Sequence, residues 1–111
     1  MTAVFVYGTL TDEARVTALV GRPLPRRLAV LEGYERVAPA GRYPWVVPRT
    51  GAAVEGVLLL DVDAEALAAL DAYEDEGTLY VRRAAVARVD GRPVACEVYV
   101  GAAIRGAPGP G

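Results

Sequence analysis

Histidine, lysine, serine, asparagine and glutamine are all missing from this 111-residue chain, cysteine and methionine occur once each, and all 12 basic residues are arginine. These absences exclude much of the usual catalytic repertoire. There can be no Ser-His-Asp triad, no Cys-His pair, no lysine Schiff base and no histidine-ligated zinc. Whatever chemistry the chain performs falls to Asp, Glu, Arg, Tyr, Thr, Cys96 and the backbone. The bias toward Arg, Ala, Gly, Pro and Val reads as the codon usage of a GC-rich genome. Thermal adaptation is a second reading, weakened because the usual hyperthermophile enrichment includes Lys.

What is present sets further bounds. With 53% hydrophobic and 23% charged residues, the chain has the composition of one globular domain with one core. The net charge is −2, and no basic run is longer than Arg26-Arg27 or Arg82-Arg83, so there is no electrostatic footprint for nucleic acid. The apolar stretch from Ala3 to Leu10 is too short for a membrane span and lacks the basic flank of a signal peptide, which points to a cytoplasmic protein with no membrane partner. Cys96 falls in an alternating apolar run and reads as a buried thiol rather than a nucleophile.

Hydrophobic periodicity sorts the chain into an α+β order. Ala3 to Tyr7 is β-branched and aromatic and stops at Gly8, the pattern of a central strand opening into a turn. From Thr11 the period becomes helical, with Val16, Leu19 and Val20 on one face and Gly21 and Pro23 as the stop. Leu28 to Val37 is expected to be extended with a bulge or bend at Gly33, Tyr43 to Val47 to run from loop into strand, and Gly56 to Val62 to form a separate strand. Asp63 is placed to cap a helix over Ala64 to Glu74. Leu79 to Val89 returns to strand, Asp90-Gly91 is a two-residue hairpin signal, and Val94, Cys96, Val98 and Val100 share one face of a closing strand that starts at an edge with Pro93. The domain is expected over residues 1–100, with 101–111 a flexible tail. Six or so strands and two short helices imply a small mixed, largely antiparallel β-sheet, curled and able to close into a barrel flanked by the helices.

Two places can carry chemistry. At Tyr7-Gly8-Thr9-Leu10, backbone N–H groups at a strand end can hold a carboxylate or phosphate, although many such turns carry a glycine for conformational reasons only. Neither nucleotide-loop spacing is present. The second is Glu74. With Leu67 and Leu70 it stands at helical spacing, in the place where another leucine would fit. If it points inward, desolvation and the helix C-terminus both raise its pKa and suit it to proton transfer; if the helix frays at Tyr73, it joins Asp75 and Glu76 on a solvated corner. Asp61, Asp63 and Glu65 do not make a calcium loop, because the sixth position is not Gly and Ala72 stands where the bidentate Glu belongs. Glu97 and Tyr99 share the face opposite Cys96 and either line a cavity or form the polar side of an edge strand.

In order, Tyr7-Gly8-Thr9-Leu10, Tyr43-Pro44, Gly56, Leu70-Asp71-x-Tyr73-Glu74 and Tyr80-x-Arg82 resemble the γ-glutamylcyclotransferase-like superfamily, which includes the γ-glutamylamine cyclotransferases and the avirulence-induced-gene-like proteins, over residues 3 to 100. The resemblance implies a small mixed β-barrel and a reaction in which a γ-glutamyl amine or peptide cyclises to 5-oxoproline and a free amine. It also implies that Glu74 is the catalytic carboxylate, that Tyr7, Gly8, Thr9 and Leu10 bind the γ-glutamyl moiety, and that no cofactor or metal takes part. Tyr43, Tyr80, Arg82 and Tyr99 are further candidates for substrate contact, with Tyr80 and Arg82 equally readable as a structural brace. The chain departs from the family's usual small residue after the catalytic Glu in having Asp75-Glu76-Gly77. A non-catalytic member binding a small carboxylate, and an acyl-removing enzyme of a biosynthetic pathway, are the competing classes. Nothing in the sequence fixes the leaving amine or the oligomeric state.

Overall fold

The computed structural model describes residues 1–38, 44–74 and 80–101. Five strands run in the order β1 (Thr2–Val6), β2 (Arg26–Val37), β3 (Trp45–Val62), β4 (Tyr80–Val89) and β5 (Arg92–Gly101), with helix α1 (Glu13–Val20) after β1 and helix α2 (Ala64–Glu74) after β3. They close into a barrel in the spatial order β1-β3-β2-β4-β5. Every pairing is antiparallel except that of the first and last strands, where Val4 and Phe5 lie parallel beside Glu97 and Val98.

The uninterrupted apolar run of β1 follows from its position between two cores. Phe5 points into the barrel with Leu31, Val46, Leu58, Ala87, Cys96 and Val98. Val4 and Val6 point outward, onto the layer formed by Leu10, Val16, Ala66 and Leu70 beneath the helices. A strand buried on both faces has no use for polar alternation. Gly56 is required at the closest approach, since a Cβ there would lie 2.7 Å from Phe5 Cζ. Cys96 faces the barrel interior, and burial pushes its thiol up to about 11, the inert thiol that the sequence predicts.

Local signals are realised closely. Asp63 Oδ1 accepts from the Ala66 amide at 2.8 Å and starts α2 at Ala64. Asp90 and Gly91 both have positive φ, as a two-residue hairpin between β4 and β5 demands. The β2–β3 register shifts at Gly33, where the bulge was expected. Thr11 and Asp12 do not begin the first helix. Thr9–Thr11 forms a 3-10 turn, and Asp12 caps α1 through a 3.1 Å bond from the Ala14 amide.

Two expectations are corrected. Trp45 to Val47 and Gly56 to Val62 belong to one 18-residue strand, so there are five strands rather than six among the described residues. The turn-forming residues between them, Pro48 to Gly51, are absorbed because β2 pairs with β3 on both sides of the interruption, from Val37 opposite Trp45 to Arg26 opposite Leu59. In addition, β5 continues through Gly101, which packs against Trp45, and residues 102–111 of the expected tail lie outside the described residues. No described helix is long and apolar enough to cross a membrane.

The close approach at Gly56 makes a stability prediction. Gly56→Ala must displace the Phe5 ring or the β1 backbone, and should cost about 1–3 kcal/mol in urea unfolding. A cost below about 0.5 kcal/mol would show that the β1–β3 contact is loose.

Candidate functional site

A cavity of about 180 Å³ opens where β1 leaves the barrel and α2 ends. Tyr7, Gly8, Thr9 and Leu10 form one wall, and Glu74, Tyr80 and Tyr99 line it from α2, β4 and β5. Seven of the nine residues singled out from the sequence therefore meet in one place. Tyr43 lies outside the described residues. Arg82 is not in the lining; it forms an ion pair with Asp71 of α2 and another with Glu97 of β5.

The Tyr7–Leu10 wall is rigid for local reasons. Thr11 closes the 3-10 turn onto the Gly8 carbonyl twice, through its amide at 3.0 Å and its hydroxyl at 2.7 Å. The Asp12 amide donates to Thr9. The amides of Gly8, Thr9 and Leu10 precede these donors and are not used in closing the turn. Leu10 anchors the turn in the core at 1% exposure. Tyr7 extends from the end of β1 and donates its hydroxyl to the Tyr99 carbonyl at 2.6 Å.

Glu74 stands one turn beyond Leu70, the last buried residue of α2, and closes the cavity from the helix side. Burial raises its carboxyl to about 7. The helix runs through Glu74 rather than fraying at Tyr73, and desolvation is the cause of the shift. Among the described residues no hydrogen bond or ion pair reaches the Glu74 carboxylate, so no described group offsets the desolvation. Around it stand phenols. Tyr7 and Tyr99 are both raised above the ordinary tyrosine value, chiefly by burial, with Tyr80 and then Glu74 adding to the effect at Tyr7 and Asp71 and then Glu74 at Tyr99, so they remain neutral hydrogen-bonding groups at physiological pH.

Four further wall residues were not singled out as site residues from the sequence: Phe5, Val6, Pro44 and Tyr73 also line the cavity. Pro44 accepts a 2.8 Å hydrogen bond from the Tyr80 hydroxyl, which fixes that ring. Tyr73 bonds Thr9 through their hydroxyls at 2.8 Å, tying α2 to the loop, while the Arg15 guanidinium lies 5.9 Å from its ring centroid. The sequence signal for Tyr73 was its place in the Leu70-Asp71-x-Tyr73-Glu74 motif, which gave it no role. The described residues contain no cluster of acidic or sulfur ligands suited to a metal ion.

The raised carboxyl has a pH signature. Folding lifts the Glu74 pKa from 4.5 to about 7, so the folded chain holds this proton where the unfolded chain has lost it. Its contribution to stability is complete below the lower value and is lost as pH rises through the upper one. Glu74→Gln, neutral throughout, should be more stable than the parent at about pH 8 by about 1–3 kcal/mol and show a flatter pH dependence in urea unfolding. An unchanged pH dependence would mean that the carboxyl is solvated.

A family model described as "Gamma-glutamyl cyclotransferase, AIG2-like" matches residues 4–109. AIG2-like protein A of Arabidopsis thaliana is 36% identical over 72 residues, covering 64% of this chain and 44% of that protein. A Methanocaldococcus jannaschii protein named as a gamma-glutamylcyclotransferase, with a further RNase designation, is 30% identical over 100 residues, covering 87% of this chain and 45% of that one. The chain thus spans less than half the length of these two relatives. The crystal structure of an AIG2-like protein from Mus musculus superposes with a TM-score of 0.75 at 31% identity, over 92% of this chain and 78% of the mouse chain. The family match covers nearly the whole barrel, and on that evidence the chain belongs to the gamma-glutamyl cyclotransferase, AIG2-like family.

Proposed function

We propose that the protein is a γ-glutamyl cyclotransferase that converts a small γ-glutamyl amine or peptide to 5-oxoproline and the free amine. The observation that carries this reading is the Glu74 carboxyl, raised to about 7 in the cavity that the Tyr7–Leu10 loop helps to build. Family membership and the name of the archaeal relative support the same chemistry.

The substrate's α-amine must lose a proton before it can attack the γ-carbonyl carbon. The Glu74 carboxylate accepts that proton as the new C–N bond closes the five-membered ring. The bond from the γ-carbon to the leaving nitrogen then breaks, and Glu74 returns the proton to that nitrogen. One group serves both steps because its pKa lies near the working pH. The backbone amides of Gly8, Thr9 and Leu10 are the proposed holders of the substrate's α-carboxylate. Fixing that end while the phenols of Tyr7, Tyr80 and Tyr99 confine the chain brings the amine to its own carbonyl, which is the proximity advantage of a ring closure. Within this reading the reaction calls for no cofactor and the substrate is the proposed partner, in the cytoplasm.

The test is release of 5-oxoproline by the purified protein from a panel of γ-glutamyl amines, amino acids and peptides. Turnover of at least one member is expected, and Glu74→Gln should lower it by about 10²–10⁴-fold while remaining folded. No product from any member would contradict cyclotransferase activity and favour a carboxylate-binding protein. Full turnover by folded Glu74→Gln would remove Glu74 from the mechanism.

A further inference from the structure

We propose that Asp71 is a positioning residue, which locks the last turn of α2 onto β4 and β5 and thereby holds Glu74 in the cavity. The inference deepens the proposed function and rests on it for its catalytic consequence, although the placement of Glu74 can be measured without any turnover.

The apolar anchoring of α2 ends too early to place Glu74. Its buried residues are Ala66 and Leu70, and the four residues after Leu70 include none that is fully buried. Polar contacts take over at that point. The Asp71 carboxylate accepts from Arg82 in a two-pronged ion pair, Nε to Oδ1 at 3.0 Å and Nη2 to Oδ2 at 3.1 Å. Oδ1 accepts a third bond, at 2.6 Å, from the Tyr99 hydroxyl. Arg82 also donates through Nη1 to Glu97. One helix side chain is therefore clamped by two adjacent strands, and the clamp is itself braced within the barrel because Arg82 and Tyr99 are paired across β4 and β5.

Geometry transmits this restraint to Glu74. Residues three apart on a helix occupy neighbouring positions on one face, so the clamp on Asp71 fixes both the rotation and the height of the turn that carries Glu74. A forked guanidinium–carboxylate pair resists rotation in a way that a single point contact cannot. The pair is also shielded, with side-chain exposures of 25% for Arg82 and 24% for Asp71, so it is weakened less by solvent than the open pairs elsewhere on the barrel. Tyr99 joins the two regions directly: its ring lines the cavity, its hydroxyl binds Asp71, and its carbonyl accepts from Tyr7. The Thr9–Tyr73 bond also restrains this turn, but it is exposed. Asp71 and Glu97 keep their charge matched by Arg82, and the groups that face Glu74 across the cavity are the phenols of Tyr7, Tyr80 and Tyr99, with Tyr73 on its own helix.

The experiment is a side-chain carboxyl NMR titration of the glutamates in the full chain, run beside the 5-oxoproline assay on Asp71→Asn, Tyr99→Phe and the control Arg88→Gln. Arg88 pairs with Glu32 at 3.1 Å, away from the cavity lining, and its loss should leave the Glu74 midpoint unmoved. In the parent protein Glu74 is expected to titrate near 7. In Asp71→Asn the turn loosens, Glu74 becomes solvated, and the midpoint should fall by about 1–2 pH units, with kcat reduced about tenfold and KM little changed. Tyr99→Phe, which keeps the ring and removes one bond of the clamp, should shift both in the same direction by less, and carries the test if Asp71→Asn does not fold. An unmoved Glu74 midpoint in the folded variants would overturn the positioning role. Absence of 5-oxoproline from the parent protein would instead overturn the proposed function, and the titration would still decide the role of Asp71.

Discussion

Holding the Glu74 carboxyl where a leucine would pack destabilises the fold at neutral pH, because desolvation penalises the anion and no described group donates to it. A surface glutamate would carry no such penalty and no useful pKa. The arrangement survives because the turn that bears Glu74 is secured by its neighbours. Leu70 anchors the helix in the outer core one turn before, and Asp71 meets Arg82 and Tyr99.

The opposite wall depends on β1. Its side chains are committed on both faces, Phe5 inward and Val4 and Val6 outward, so the strand has no freedom to shift or rotate. The chain leaves it at Tyr7 in one direction, and the Thr11 hydroxyl pins the following turn. A rigid strand therefore delivers a rigid loop, which is the kind of preorganised framework that a small substrate needs. The parallel contact of β1 with β5 brings the first and last strands together and sets Tyr99 beside Tyr7. Barrel closure and construction of the cavity are the same event in this fold.

Much of this was legible because its causes are local. The Asp63 cap, the Asp90-Gly91 turn and the Gly33 bulge each depend on residues close in sequence, and so does the apolar stripe interrupted by Glu74, although that last pattern left an inward and a solvated reading equally open. The long β3 strand was not legible, because pairing with β2 overrides the turn propensity of Pro48 to Gly51. Arg82 could be read either as a brace or as a substrate contact, and its engagement of Asp71 and Glu97 joins residues 11 and 15 positions away. Only the folded barrel brings those carboxylates to it. Tyr73 and Pro44 escaped for the same reason, since their hydrogen bonds join elements far apart in the chain.

The central claim is that a single partly buried carboxyl of unusual pKa performs the proton transfers of a cyclisation. The pH dependence of kcat/KM for 5-oxoproline release tests it most directly, because that profile reports the ionisation of the free enzyme. The account predicts activity that rises with pH through a midpoint near 7 as Glu74 becomes the required base. A profile that is flat across that range, or one whose acid limb lies at the ordinary glutamate value near 4.5, would contradict it.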